Sequence, residues 1–185
     1  MKRIPIVVTV LVILCAVCAV VAADEIKTEG KVMQLTVTSS AFCEGAMIPP
    51  DYTCDGRDES PALSWSGGPG GTKSYAVVAD DPDAPAGTWV HWVVYDIPPD
   101  VTQLAEGQGR GKNLDCGAVA GVNDFRRHGY GGPCPPGGTH RYFFRVYAVD
   151  TLLGRSPGMS KKELLDLLEG HVLAEGALMG RYSRR

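Results

Sequence analysis

Trp89-Val90-His91-Trp92-Val93-Val94-Tyr95 is apolar on both alternating faces of an extended chain, with a single histidine as the exception. A strand wetted on one side alternates apolar and polar residues, whereas one that does not alternate must be covered on both faces. The segment therefore predicts an interior strand. Ser74–Ala79 (SYAVVA) and Tyr142–Val149 (YFFRVYAV) read the same way. Around these runs the chain holds 23 Gly and 13 Pro, a density of chain-breakers that opposes a helical bundle and favours short strands joined by turns. Gln34–Thr38 (QLTVT) alternates like a half-buried strand, and Ala62–Trp65 is a short apolar patch closed by the glycine loop 67–71. One helix is predicted: Ser160-Lys-Lys-Glu163 is a capping box, followed by Leu164, Leu165, Leu167 and Leu168, with Gly170 as a stop. Ala174–Tyr182 fits helix or strand. Residues 105–140 are long, glycine-rich and without period, and an irregular stretch of that length in one domain is usually functional.

The 185 residues suffice for one domain, and they divide unevenly. Residues 1–23 are apolar except for Lys2, Arg3, Pro5 and Thr9, and end in Val21-Ala22-Ala23, small residues of the kind a signal peptidase cuts after. They read as a signal peptide or, uncleaved, as a membrane anchor. Residues 24–32 read as a polar linker and 33–185 as the domain. Either reading of the first segment places the domain outside the cytoplasm. Without Lys2 and Arg3 the net charge passes from −3 to −5, with no basic stripe, which excludes a nucleic-acid partner. Four cysteines remain after the leader: Cys43, Cys54, Cys116 and Cys134. An even number in an exported domain suggests disulfides, and spacing alone does not choose among the three pairings. None of the metal-ligand spacings occurs after residue 23, so neither a metal nor a cofactor is expected.

Three places carry candidate chemistry. Asp80-Asp81-Pro82-Asp83 sets three carboxylates in four positions, which repel unless each is solvated or holds a donor. His91 lies inside a strand, so it must be buried and must find a partner; the two-residue period puts it with Trp89, Val93 and Tyr95. His140 ends the loop Gly129-Tyr-Gly-Gly-Pro-Cys-Pro-Pro-Gly-Gly-Thr-His140, just before a strand. Two histidines, nearby carboxylates and a glycine loop suit a phosphate or carboxylate ligand. Gly154-Arg-Ser-Pro-Gly158 matches a serine-hydrolase pattern, but Pro157 lacks the N–H that the residue after such a nucleophile supplies.

Ile48-Pro-Pro-Asp-Tyr-Thr-Cys-Asp-Gly56, Ser60-Pro-Ala-Leu-Ser-Trp65, Asp81-Pro-Asp-Ala-Pro85, His91-Trp-Val-Val94, Gly129-Tyr-Gly-Gly-Pro-Cys-Pro-Pro136 and Thr139-His-Arg-Tyr142 occur in that order. Together they closely resemble the phosphatidylethanolamine-binding protein family, in its bacterial and archaeal Raf-kinase-inhibitor-like branch, over about residues 33–182. The resemblance implies a mainly β fold, an antiparallel Greek-key-like β-sandwich with a few peripheral helices. It also implies a small anion pocket built from Asp81, Asp83, His91, Gly132, Pro133, His140 and Tyr142. Alternation turns Arg141 away from the His140 and Tyr142 face, as a structural ion-pair residue. Cys54 and Cys134 sit inside the motifs, so the resemblance pairs them first and leaves Cys43 and Cys116 as the second pair.

The function expected is an exported binding protein or modulator with no turnover and no catalytic residue. Its ligand would be a phosphate-like small anion or a phospholipid head group. Neutral imidazoles donate one proton each and protonated ones add charge, so affinity should rise as pH falls. Two rival readings are an inhibitor of a protease (less so a kinase) acting by protein contact, and a phosphate-ester hydrolase using Asp81 with a histidine. A homodimer is left open.

Overall fold

The computed structural model describes residues 32–184. The apolar leader, and the linker up to residue 31, lie outside the described residues. The strands are β1 (Met33–Gln34), β2 (Thr36–Thr38), β3 (Leu63–Ser66), β4 (Ser74–Asp81), β5 (Trp89–Ile97), β6 (Gln103–Leu104), β7 (Val119–Ala120), β8 (His140–Val149) and β9 (Val172–Tyr182). Among the described residues there is one α-helix, α1 (Lys161–Leu168), which follows β8. Two sheets result: six strands in the order β1-β9-β8-β4-β5-β7, and three in the order β2-β3-β6. Every pairing is antiparallel except β1 on β9.

The mainly β architecture is as expected, and β4 shows why the apolar runs predicted it. All eight of its residues are buried. Tyr75, Val77 and Ala79 face the small sheet, packing with Leu35, Val37, Leu63, Trp65 and Leu104. Ala76 and Val78 face the other way, under Leu164 and Leu168 of α1. The helix begins where the capping box placed it: Ser160 accepts from the Glu163 N–H, and Glu163 reaches back to the Ser160 N–H.

Two local readings are changed by the fold. Gln34–Thr38 is not one strand: the chain leaves β9 after Gln34 and joins β3 at Thr36, so Leu35 marks a change of sheet. The ambiguous Ala174–Tyr182 is strand, because its alternating side chains fit between β8 and the edge.

The disulfide Cys54–Cys134 is present, with Cα atoms 5.4 Å apart. The second expected pair is not: Cys43 and Cys116 are both free thiols. Cys43 lies beside β9, where Glu44 and Gly45 bond Met179. Cys116 sits in the turn that leads into β7, between Leu114 and Ala118. β9 and β7 are four strand spacings apart, roughly 19 Å, far beyond disulfide reach.

Asp80 is the buried charge of the helix-covered face. Its carboxylate, almost fully buried, holds Arg145 of β8 and Lys161 of α1. Removing one member of a buried ion cluster strands the others without compensation. Asp80→Ala is therefore expected to lower unfolding free energy by about 3 kcal/mol, the low end for such changes, because both cations can still reach water. Asp80→Asn should lose less. Chemical denaturation of the two variants would check this, and equal, negligible losses would show that the cluster is idle.

Candidate functional site

The three carboxylates that crowd the sequence are separated by the strand period and the turn after it. Asp80 faces α1. Asp81 faces the opposite side, where His140 Nδ1 donates to its Oδ2 at 2.8 Å and the Asp83 N–H donates to its Oδ1 at 2.8 Å. Asp83 turns outward and holds Arg141 through its backbone N–H (3.0 Å), Nε (2.9 Å) and Nη2 (2.7 Å). The Arg141 guanidinium keeps the Asp83 carboxyl down at about 2. Each carboxylate thus holds its own donors.

His91 is re-aimed by a β-bulge. Ala79 pairs with Trp92 and Asp80 with Val90, so His91 is an extra residue in β5. Bulges break the two-residue alternation and turn a side chain. Val93 and Tyr95, expected on its face, pack instead against α1. Trp89 stays with His91 on one cavity wall. The His91 ring stands edge-on to Tyr142 at 5.2 Å and to Phe125 at 5.4 Å. Its Nδ1 donates to the Gly131 carbonyl at 2.5 Å.

His91, His140 and Asp81 line one cavity of about 340 Å³. The remaining wall is Ala84, Pro85, Ala86, Trp89, Phe125, Cys134, Pro135 and Pro136. Among the described residues, no lysine or arginine lines it. Of the other residues expected at a pocket, Asp83 is turned to Arg141, and Tyr142 stands behind His91. The Tyr142 hydroxyl is buried near Asp81, and burial together with that carboxylate pushes the phenol well above its ordinary range. Pro133 receives the Cys54 N–H on its carbonyl, and the Gly132 N–H goes to Asp58. These three shape the wall from behind. Among the residues not read from sequence are Phe125 and Pro135. Phe125 lies in an irregular turn without period, and Pro135 was visible only as part of a motif.

The tautomers follow from chemistry. A carbonyl and a carboxylate only accept, so each Nδ1 carries a proton. Nε2 of each ring, with no partner among the described residues, is the nitrogen left to the cavity. In the neutral state both Nε2 atoms are acceptors. They become donors only when the rings are protonated, so the expectation that neutral imidazoles donate into the site is replaced. Burial pushes the His91 imidazole below its ordinary value, against the Gly131 carbonyl and the charges of Asp81, Asp80 and Asp124, which raise it. An unliganded neutral His91 is the result at pH 7.

Comparison with known proteins bears on this arrangement. The model of the family "Phosphatidylethanolamine-binding protein" matches residues 38–183. A "UPF0098 protein" of Methanothermobacter thermautotrophicus is 51% identical over 150 residues, covering 81% of this chain and 99% of its own. Two crystal structures are similar. One is a phosphatidylethanolamine-binding protein homologue of Chlamydia trachomatis, 40% identical with a TM-score of 0.75. The other is E. coli YbcL, a member of the mammalian family of that name, 37% identical with a TM-score of 0.77. Each covers 82% of this chain and 99% of its own.

Proposed function

The chain belongs to the phosphatidylethanolamine-binding protein family, and we propose that it is an exported binding protein whose cavity takes one phosphate-like anion or phospholipid head group without turnover. The observation that carries this reading is the pair of Nε2 atoms turned to one cavity, each on a ring whose Nδ1 is held from behind. With His140 protonated, its charge is balanced by Asp81. With His91 protonated as well, the site gains a net positive charge and two aligned donors, which suits one anion. The apolar wall from Ala84 to Ala86 and from Pro135 to Pro136 suits whatever neutral group the anion carries.

Absence of turnover is supported by what the wall provides. Phosphoryl transfer needs preorganised charge on the equatorial oxygens, usually Arg, Lys or a metal ion. Among the described residues, the groups lining this cavity that can carry positive charge are the two imidazoles, and the lining cysteine, Cys134, is in a disulfide. That disulfide also supports export, since such bonds persist in oxidising compartments.

The test is an NMR titration of the histidine rings with phosphate and then phosphorylethanolamine. His91 and His140 are expected to shift together and to saturate at one ligand per chain. Two unmoved rings in folded protein would sink the reading, and steady phosphate release from an aryl phosphate would sink the claim of no turnover.

A further inference from the structure

The Gly131–Gly132 peptide bonds in two opposite directions. Its carbonyl accepts from His91 Nδ1 at 2.5 Å, and its N–H donates to Asp58 Oδ1 at 2.6 Å. Carbonyl and N–H belong to one planar, conjugated amide, so charge at one end polarises the other. The second Asp58 oxygen, Oδ2, takes Arg127 Nη2 at 2.7 Å. We propose that Asp58 is a positioning residue for His91, acting through the Gly131–Gly132 peptide. The proposal rests on the reading of the cavity as an anion site.

Three further observations converge on it. First, the two cavity histidines are held in related ways. His140 has a carboxylate directly on Nδ1, and His91 has one a single peptide away. Both rings are oriented from behind by the same kind of group. Second, the peptide is pressed against the Asp58 turn so closely that only glycine fits. A Cβ on Gly132 would lie 2.7 Å from the Thr53 Cα and 2.8 Å from Asp58 Oδ1. Third, Asp58 has a φ of 56°, the left-handed region that side chains other than Asn and Asp rarely adopt. Strained residues of this kind persist where their surroundings hold them, here through both carboxylate oxygens. Nothing in the sequence marks the relation, because Asp58 and Gly132 are 74 residues apart.

The rival role for Asp58 is purely structural: tying Arg127, and with it the turn that carries Phe125, to the glycine loop. Three variants of the full chain separate the two. Asp58→Asn and Asp58→Gly both tolerate the left-handed backbone; the first keeps an acceptor for the Gly132 N–H without the charge, the second removes both. Arg127→Gln removes the ion pair and the guanidinium over Phe125 but keeps the Asp58 bond to Gly132.

The readout is the His91 Nδ1–H resonance and its exchange rate in unliganded protein, with His140 as internal reference. In Asp58→Asn the resonance is expected to move upfield and to exchange about tenfold faster, more so in Asp58→Gly, while Arg127→Gln leaves it in place. The His91 titration midpoint is expected to fall in the two Asp58 variants. The other groups facing that ring (Asp80, Asp81, Asp124 and the Phe125 and Tyr142 rings) are unchanged by these substitutions. Phosphate binding should weaken about tenfold. An unmoved His91 resonance in folded Asp58→Asn would overturn the proposal. So would equal effects in Asp58→Asn and Arg127→Gln, which would mean loop tethering alone. If wild-type protein bound no phosphate while His91 still responded to Asp58, the anion reading would fall and the positioning role would stand.

Discussion

The His91→Ala, His140→Ala double variant is expected to lose phosphate binding by more than about 100-fold at pH 6 while remaining folded. A hydrogen bond to a charged group contributes about 1.5–3 kcal/mol, and two are removed. The fold should survive because truncating the two rings extends the cavity to the groups left behind, the Gly131 carbonyl and Asp81, where water can reach them. The same site predicts a pH profile. His91 is pushed down by burial, so it is neutral at pH 7 until an anion arrives. Binding then takes up a proton, and affinity should rise as pH falls from 8 to 6, by roughly tenfold per unit wherever one proton is taken up. The sign for stability is opposite. A histidine whose folded value is depressed contributes stability above its unfolded value, about 6.5, and that stability is lost as pH falls below it. Acid should therefore weaken the unliganded fold while tightening phosphate binding. Calorimetry at three pH values, with and without phosphate, reads both. An affinity independent of pH would show that the imidazoles are not the donors.

Loss of the Cys54–Cys134 disulfide is the largest stability change expected. The bond closes a loop of 80 residues, which in the chain-entropy account corresponds to about 4.5 kcal/mol, with measured values commonly lower. The Cys54→Ala, Cys134→Ala variant should unfold about 4 kcal/mol more easily, and reducing agent should act on wild type to the same extent. Cys43→Ser, at an exposed free thiol, should change stability by less than about 0.5 kcal/mol. The disulfide also ties the two halves of the site together: Cys134 lines the cavity, and the Cys54 N–H bonds the Pro133 carbonyl. Phosphate affinity should therefore fall with stability in the double variant. A loss below 1 kcal/mol would mean that the Tyr130 hydroxyl on the Tyr52 carbonyl and the Asp58 bond to Gly132 suffice to hold this loop.

The site was legible where its chemistry is local. His91 could be singled out because a lone histidine in an apolar strand needs a partner, and His140 because it ends a glycine loop. Arg141 turns away from the cavity as alternation along β8 requires, and it meets Asp83 there. The rest depends on register and on loops that have none. The bulge at His91 arises from how β5 pairs with β4, and no composition marks an extra residue. Phe125 and Asp58 enter through turns whose backbone angles are set by bonds to distant segments.

By itself, the sequence determined the mainly β class, the buried strands, the capped helix and the residues available for chemistry. Each rests on hydrophobic period or capping, interactions that span a few residues. Only the tertiary structure decided which carboxylate meets which histidine, which cysteines pair, and which ring nitrogen is left to the cavity. Those are matters of a few ångströms between segments tens of residues apart. Asp81 lies 59 residues from His140, and Gly131 lies 40 from His91. Such distances are fixed by strand order and register, which no single stretch of the chain encodes.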